Sequence, residues 1–240
     1  MYIKSAIIIA FAAAVAFIGT GTDVLAAKVR REANFTVRIE NISNADGYET
    51  AGGAKYPFAL SPGFFILDTK KSGLFTAGKM ASSELEAQAE DGNPEIFSKH
   101  WLTRVGSLNI GVFNKPESST MPAPILPGQA YQFTFKAKEG MRLNLIAMFG
   151  QSNDLFYAPE TAFDLFDKNG NPFTGDVTES FILWDAGTEV NQAPGVGDEQ
   201  APRQKAPNTG KAENGRVGKV ADGFVYPNTK DVLRITIMAK

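Results

Sequence analysis

The sequence predicts an all-β domain that folds as an antiparallel β-sandwich, with one or two short helices inserted early in the chain. Three observations support this class. Several short stretches alternate apolar and polar residues with a period of two, glycine- and asparagine-containing turns separate them, and helix signals are confined to one region. A hydrophobic content of 43% with 18 phenylalanines is enough to build a core and argues against general disorder.

Period-two alternation is clearest in four stretches. In "NFTVRIENI", the side chains of Phe35, Val37 and Ile39 share one face of the predicted strand. The other three stretches are "AYQFTFKAK", "RLNLIAMF" and "VLRITIMA". Each is predicted to be a half-buried strand with one face in water.

Two tight turns predict how neighbouring strands pair. Glu139-Gly140 lies between "AYQFTFKAK" and "RLNLIAMF" and predicts a hairpin. Asn169-Gly170 follows "AFDLFD" and predicts a second hairpin, with "SFILWD" as the returning strand.

One segment, "SSELEAQAEDGN", has the signals of a helix. Ser83 and Glu86 have the spacing of a capping box, and Gly92 is a natural stop. A second short helix is predicted over residues 94–100. The stretch 191–222 is rich in Pro, Gly, Asn and charged residues and is predicted to be a long loop inside the domain.

The first 26 residues are typical of a secretory signal peptide. Lys4 precedes an apolar run at 6–18, and Val24 to Ala26 fits the small-x-small cleavage rule. The run is shorter than the ~20 residues that span a bilayer, although an uncleaved anchor is the alternative. We therefore expect a secreted or periplasmic protein whose folded domain is 27–240, with no membrane span after cleavage.

Composition excludes several classes of function. The chain has no cysteine, so disulfides and thiol chemistry are excluded, and a net charge of −2 without a basic stripe argues against a nucleic-acid partner. His100 is the only histidine, and neither GxSxG nor HExxH occurs. We therefore predict a protein that is not an enzyme.

Three acidic residues at strand ends are candidate metal ligands. Asp154 follows "NLIAMFG", and Asp185 and Glu189 flank the glycine of "WDAGTE". Loop carboxylates that converge at one end of a sandwich suit calcium, which takes about six to eight oxygen ligands. Capping of turns by the same residues is an equally good interpretation. By contrast, "DKNGN" at 167–171 has its glycine one position too early for a calcium loop and predicts a turn.

Several of these motifs together resemble the spondin N-terminal domain, which occurs in F-spondin, mindin and many bacterial exported proteins. The resemblance rests on the stretches "FTVRIENIS", "FTAGKMASSELEAQAEDGN", "GQSNDLF", "WDAGTE", "GFVYP" and "VLRITI", which cover most of the chain after the signal. It implies a C2-like sandwich that binds Ca²⁺ through Asp154, Asp185 and Glu189. The chain departs from the family pattern at Glu189, where the family has aspartate, at Leu155, where it has tryptophan, and in lacking the family's cysteines.

The resemblance also implies a function. It predicts a non-enzymatic, calcium-binding module for recognition or adhesion, whose partner is an extracellular protein or a surface glycan. The rival hypothesis is a cell-envelope hydrolase that uses Asp185 and Glu189 as an acid/base pair, since a glycosidase needs only two carboxylates.

Overall fold

The computed structural model describes residues 30–50, 52–69 and 73–240, so the predicted signal peptide lies outside the described residues. The helices are α1 (Ser83–Asp91), α2 (Glu95–Val105) and α3 (Thr229–Val232). The strands are β1 (Glu32–Asn41), β2 (Tyr48–Glu49), β3 (Lys55–Tyr56), β4 (Leu60–Asp68), β5 (Ile110–Phe113), β6 (Ala130–Lys138), β7 (Arg142–Phe149), β8 (Leu155–Pro159), β9 (Phe163–Asp164), β10 (Gly175–Asp176), β11 (Phe181–Asp185), β12 (Gly218–Lys219) and β13 (Leu233–Ala239). Within the described ranges, no helix has both the length and the apolar character needed to cross a membrane.

Two antiparallel sheets contain most of the strands. The smaller sheet has the order β10-β13-β1-β6, and the larger has the order β12-β11-β8-β7-β4-β5, with β9 added beside β7. β2 and β3 form a separate two-stranded ribbon. The predicted all-β class with antiparallel strands is confirmed.

The main core lies between the two sheets. Phe35, Val37 and Ile39 of β1 are each at most 1% exposed and pack with Leu145 of β7 and Ile235 of β13. The alternation in "NFTVRIENI" therefore gave the inward face of β1 correctly, because the period of a strand puts alternate side chains on one face.

Helices α1 and α2 cover the outer face of the larger sheet. Leu85 of α1 and Phe97 of α2 form a second apolar cluster with Phe64, Ile146 and Trp184 of the strands beneath. β7 is consequently buried on both faces rather than half-buried as predicted. The prediction was wrong because the apolar character of "LNLIAMF" serves two layers, which alternation alone does not indicate.

The predicted helices are present, with different starts and ends. Ser82, not Ser83, caps α1, since its hydroxyl accepts a hydrogen bond from the backbone N–H of Leu85. Gly92 ends the helix in the left-handed conformation with φ +62°, as predicted. α2 runs to Val105, five residues beyond the predicted end at His100.

Both predicted strand pairings are wrong, although both turns exist. Gly140 has φ +90° in a tight turn, but β6 pairs with β1 and β7 pairs with β4 and β8, so this turn connects the two sheets. The turn at Asn169-Gly170 closes only a bridge between Phe166 and Pro172, and β11 pairs with β8 instead. A tight turn fixes the local reversal of the chain, whereas the partner of each strand depends on which faces must be buried.

We predict that Gly63→Ala destabilises the fold by about 1–3 kcal/mol. Gly63 lies where the register between β4 and β7 shifts, and a Cβ there would collide with the ring of Phe113 and the carbonyl oxygen of Ile146. The measurement is the urea unfolding midpoint. Gly52→Ala is the control, because its nearest neighbour is the Thr50 hydroxyl at 3.9 Å, and an equal loss in both variants would contradict the steric explanation.

Candidate metal centre

The order of three strands brings two of the predicted ligands together. β8 lies between β7 and β11 and is antiparallel to both, so β7 and β11 run in the same direction and end at the same edge of the sheet. Asp154 immediately precedes β8, and Asp185 ends β11 opposite Leu155. The structure therefore places Asp154 and Asp185 side by side, as their positions at strand ends predicted.

Asp154 has no exposed surface, and its two carboxylate oxygens differ in their surroundings. Oδ2 accepts three hydrogen bonds: from the Thr188 backbone N–H at 2.7 Å, from the Thr188 hydroxyl at 3.1 Å and from the Glu189 backbone N–H at 3.1 Å. Oδ1 is buried and accepts none. An unpaired buried carboxylate oxygen is costly, so Oδ1 is the oxygen of Asp154 to which a bound cation would contribute most.

The glycine of "WDAGTE" shapes the turn that follows Asp185. Gly187 has φ +68°, and a Cβ on it would lie 2.7 Å from the backbone nitrogen of Arg216. Its N–H donates to Oδ1 of Asp185 at 2.7 Å, and its carbonyl accepts from Gly215 N–H at 2.7 Å. Oδ2 of Asp185 accepts from the Asn191 side-chain amide at 2.7 Å. Glycine at position 187 thus allows residues 215–216 to approach closely. Its N–H also holds the Asp185 carboxylate in position.

The third acidic residue of the cluster is Glu213. One carboxylate oxygen from each of Asp154, Asp185 and Glu213 lies within 4.8 Å of the others. Glu213 belongs to the long loop, and its backbone N–H donates to the Thr188 carbonyl at 2.9 Å. The sequence did not indicate this residue, because it is far along the chain from both aspartates and lies in a stretch predicted to be a loop.

The structure does not bring the Glu189 carboxylate into this cluster. The side chain is 2% exposed, with Oε1 accepting from Gly210 N–H at 2.9 Å and Oε2 accepting from the Asn153 side-chain amide at 3.4 Å. The residue contributes to the centre through its backbone N–H, which donates to Asp154. Its carboxylate instead holds the long loop against the end of the sheet.

The electrostatics of the cluster favour a bound cation. Burial, followed by the charge of Asp185, raises the pKa of Asp154 to about 7. Burial also raises the pKa of Asp185, and partial desolvation together with Asp185 and Asp222 raises the pKa of Glu213, which lies exposed at the rim. Each shift means that the ionised form is less favourable here than in water, and a bound cation would offset that cost.

Asp185 and Glu213 line a cleft of about 430 Å³ that opens to solvent, whereas the buried Asp154 is not one of its lining residues. Its walls include Asn191, Arg216, Lys219 and Asp222 in addition to Asp185 and Glu213. The two basic side chains have partners elsewhere, since Arg216 donates to the Gly78 carbonyl at 3.1 Å and Lys219 lies 3.3 Å from Glu160. Among the described residues, no ion pair neutralises Asp154, Asp185 or Glu213.

A second layer of polar groups surrounds the cleft. Tyr226 donates its hydroxyl to Oδ2 of Asp222 at 2.6 Å. Burial and then the hydrogen bond to Asp222 raise the pKa of Tyr226, with Asp185 and Asp154 adding to the shift. The side-chain oxygen of Asn191 is buried and has no hydrogen-bond partner, so it is a further oxygen available beside Asp185.

The other two candidates from the sequence have local explanations. Asp167 accepts hydrogen bonds from the backbone of Asn169 and Asn171, both at 2.8 Å, which makes it the cap of a turn as predicted. His100 contacts the Glu84 carboxylate and thereby links α2 to α1.

No family model matches the chain, and no curated protein matches it.

We predict that, in a chelating buffer, the chain loses stability as the pH rises from about 4 to about 7. The folded pKa of Asp154, about 7, exceeds its ordinary value of 3.8. The folded state therefore holds a proton that the unfolded state has released, and this contribution is lost as the pH passes through the folded pKa. Unfolding midpoints in urea at about pH 5 and about pH 8 measure the loss.

Asp154→Asn is the matched comparison for this pH dependence. The variant cannot ionise, so its two midpoints should differ less than those of the parent chain. Burial also raises the pKa of Glu90 to about 7, which adds a background of the same sign to both proteins. An unchanged pH dependence in Asp154→Asn would show that Asp154 is not its source.

Proposed function

We propose that the chain is an exported, calcium-binding recognition or adhesion module of the spondin type. Two observations carry the proposal: Oδ1 of Asp154 is a buried carboxylate oxygen with no hydrogen-bond partner, and one oxygen of the Asp154 carboxylate lies within 4.8 Å of an oxygen from each of two further carboxylates. An ionised group of this kind is stable only if a cation or a donor fills the space beside it.

The available oxygens fit a hard cation. Asp154, Asp185 and Glu213 each offer a carboxylate oxygen, and Asn191 offers an amide oxygen. Neither histidine nor cysteine takes part, which disfavours zinc and favours calcium or magnesium. Three carboxylates held by separate loops favour calcium over magnesium, since calcium tolerates irregular geometry and about six to eight ligands. When bound, the ion would supply the positive charge that this cluster lacks.

The surrounding residues orient the ligands. Thr188 and the backbone of Glu189 fix Oδ2 of Asp154 through three hydrogen bonds, which leaves Oδ1 as the oxygen without a hydrogen-bond partner. The backbone of Gly187 and the side chain of Asn191 fix Asp185 in the same way. Outer hydrogen bonds of this type hold ligands in position and sustain affinity.

The recognition role rests on the sequence rather than on the site. The resemblance to the spondin N-terminal domain favours binding of an extracellular protein or a surface glycan, and the signal-like N-terminus favours a secreted or periplasmic location. The geometry disfavours the rival hypothesis of a hydrolase with Asp185 and Glu189 as its acid/base pair. Glu189 is 2% exposed, and of these two residues only Asp185 lines the cleft.

We predict that calcium stabilises the chain and that the effect depends on Glu213. At a hundredfold excess over Kd, the expected gain in the free energy of unfolding is about 2.7 kcal/mol, or roughly 5–10 °C in melting temperature. Asp185→Asn and Glu213→Gln should remove most of this shift. Differential scanning calorimetry with calcium and with chelator measures it.

Glu189→Gln is the discriminating control. Its carboxylate lies outside the cluster, so the variant should keep the calcium-dependent shift, although its melting temperature in chelator falls because Gly210 N–H loses a charged acceptor. Loss of the shift in Glu189→Gln with retention in Glu213→Gln would restore Glu189 as the ligand. No calcium-dependent shift in the parent chain would refute the proposed function.

A further inference from the structure

Strand β6 forms one edge of the smaller sheet, whose order is β10-β13-β1-β6. On its inner side it pairs with β1 along its whole length. In the part of the chain that the structure describes, no strand pairs with its outer side. The outer side of β6 is therefore a strand edge that another backbone can reach.

The backbone groups that face outward belong to the even-numbered residues of β6. The Ala130 carbonyl accepts from Glu117 N–H at 2.9 Å on the side away from β1, whereas the N–H of Glu139 donates to the residue before β1 at 2.8 Å. In an antiparallel strand the N–H and C=O of one residue point to the same side, and successive residues alternate. Thr134 and Lys136 therefore direct both of their backbone groups away from β1.

Two contacts close the ends of this edge and leave its middle open. At one end, the bridge between Pro116 and Tyr131 occupies the N–H of the next residue, Gln132. At the other end, the turn that follows β6 occupies the carbonyl of the last residue of the strand. Among the described residues, none donates to or accepts from the Gln132 carbonyl or the backbone groups of Thr134 and Lys136.

The open edge also carries apolar surface. Phe133 and Phe135 are only half-buried, although both pack against the main core. The Phe133 ring stacks on Phe65 with 4.5 Å between centroids, and the Phe135 ring stacks on Phe35 at 5.6 Å. The two rings remain partly exposed because β6 is the last strand of its sheet. A strand laid along this edge would cover them.

The edge lacks the usual devices that prevent pairing with another chain. Edge strands are commonly protected by proline, a bulge or an unpaired lysine. β6 contains no proline, and its register with β1 is continuous. The ammonium group of Lys136 lies 2.7 Å from the Glu32 carboxylate, and that of Lys138 lies 4.0 Å from it. The charge of Lys136 is therefore offset within its own sheet.

The edge is complementary to itself in an antiparallel register with Thr134 at its centre. Two identical edges that meet around a two-fold axis place one residue opposite its own copy. With Thr134 at the axis, Lys136 lies opposite Gln132 and Phe133 lies opposite Phe135 of the second copy. Apolar side chains then face apolar ones, and no two like charges are directly opposite.

Other registers are less favourable. A shift of the axis to Phe133 sets Lys136 against Ala130, whose carbonyl already accepts from Glu117. A shift to Phe135 makes the two copies of Lys136 diagonal neighbours, about 7–8 Å apart. With Thr134 at the axis, the two copies of Lys136 are about 13 Å apart along the strands. Charge and the occupied carbonyl together select the register centred on Thr134.

We propose that two copies of the chain associate through β6, with Thr134 at a two-fold axis, so that the two smaller sheets join into one antiparallel sheet. The backbone groups of Thr134 pair with those of its copy, and Lys136 N–H donates to the Gln132 carbonyl of the second copy. Phe133 and Phe135 cover each other across the axis. Because the contact is short, the dimer dissociates on dilution.

Association through β6 leaves the candidate metal centre accessible. Phe113 of β5 stacks on Phe133 of β6 with 5.1 Å between centroids, so β6 lies beside the β5 edge of the larger sheet. β11, which carries Asp185, lies near the opposite edge of that sheet. The dimer therefore presents two clefts. The gain in avidity from two clefts on one surface rests on the proposed function, whereas the association itself does not depend on calcium.

Single cysteines report the contact directly, because the chain has no cysteine of its own. At a hydrogen-bonded antiparallel pair the Cα atoms are about 5.5 Å apart, which is within reach of a disulfide. Mild oxidation of Thr134→Cys should therefore give a disulfide-linked dimer. The control is Met238→Cys, on another strand of the same sheet and 38% exposed, which should give at least about tenfold less.

A mixed experiment tests the register. Gln132→Cys and Lys136→Cys should cross-link to each other when the two variants are mixed, as identified by mass spectrometry. Neither variant should cross-link to itself, since identical positions are about 13 Å apart in this register. Self-linking of both variants with no mixed product would overturn the register and the proposal with it.

Sedimentation velocity measures the association without a cross-link. We expect a monomer at low micromolar and a dimer at high micromolar concentration, in calcium and in chelator alike. Thr134→Lys places like charges at the axis and should raise Kd at least about tenfold, whereas Met238→Lys should leave it unchanged. Equal urea midpoints of each variant and the parent chain exclude unfolding as the cause.

The outcomes separate this inference from the proposed function. A chain that stays monomeric at every concentration, or that cross-links equally through positions 134 and 238, overturns the inference; if it still binds calcium in a calorimetric titration, the proposed function stands. A dimer that Thr134→Lys leaves intact also overturns the inference. A dimer that forms only with calcium places the contact at the metal centre and overturns it as well.

Discussion

The burial of Asp154 is the constraint on which the end of the sandwich depends. A carboxylate with no exposed surface must be compensated on each oxygen, and the chain compensates only one, with three donors from Thr188 and Glu189. Those donors come from the turn after β11, so the turn cannot move without exposing the charge. The glycine at 187, the approach of the long loop and the position of Glu213 all follow from keeping that turn against Asp154.

The long loop is integrated into the fold rather than attached to it. Val190 N–H donates to the Lys211 carbonyl at 2.8 Å, and Gly215 N–H donates to the Gly187 carbonyl at 2.7 Å, so the two ends of the loop pair like a short ladder. Its middle reaches helix α1, where Gln204 donates to Asp91 at 2.8 Å. This arrangement brings Glu213 to the candidate metal centre. The same hydrogen bonds explain how a segment with few apolar residues keeps a defined position.

The helical layer links the candidate metal centre to the core. α1 packs on the face of the larger sheet opposite the inter-sheet core, and its Glu90 carboxyl, 2% exposed, lies beside Thr188. The Thr188 hydroxyl donates to Asp154. A helix that the sequence indicated only by its capping residues therefore supports the turn that orients the candidate ligand.

The sequence by itself determined what depends on local order along the chain. Alternation fixed the inward face of β1, Gly92 fixed the end of α1, and the turns at Gly140 and Gly170 fixed two chain reversals, because each depends on the conformational preference of a few adjacent residues. The convergence of Asp154 and Asp185 was also accessible, since both lie at strand ends. The tertiary structure alone decided which strands pair, why β7 is buried on both faces, and that Glu213 rather than Glu189 joins the two aspartates. Those outcomes depend on contacts between residues far apart in sequence. No spacing along the chain encodes which of the two glutamates, Glu189 or Glu213, has its carboxylate beside the two aspartates.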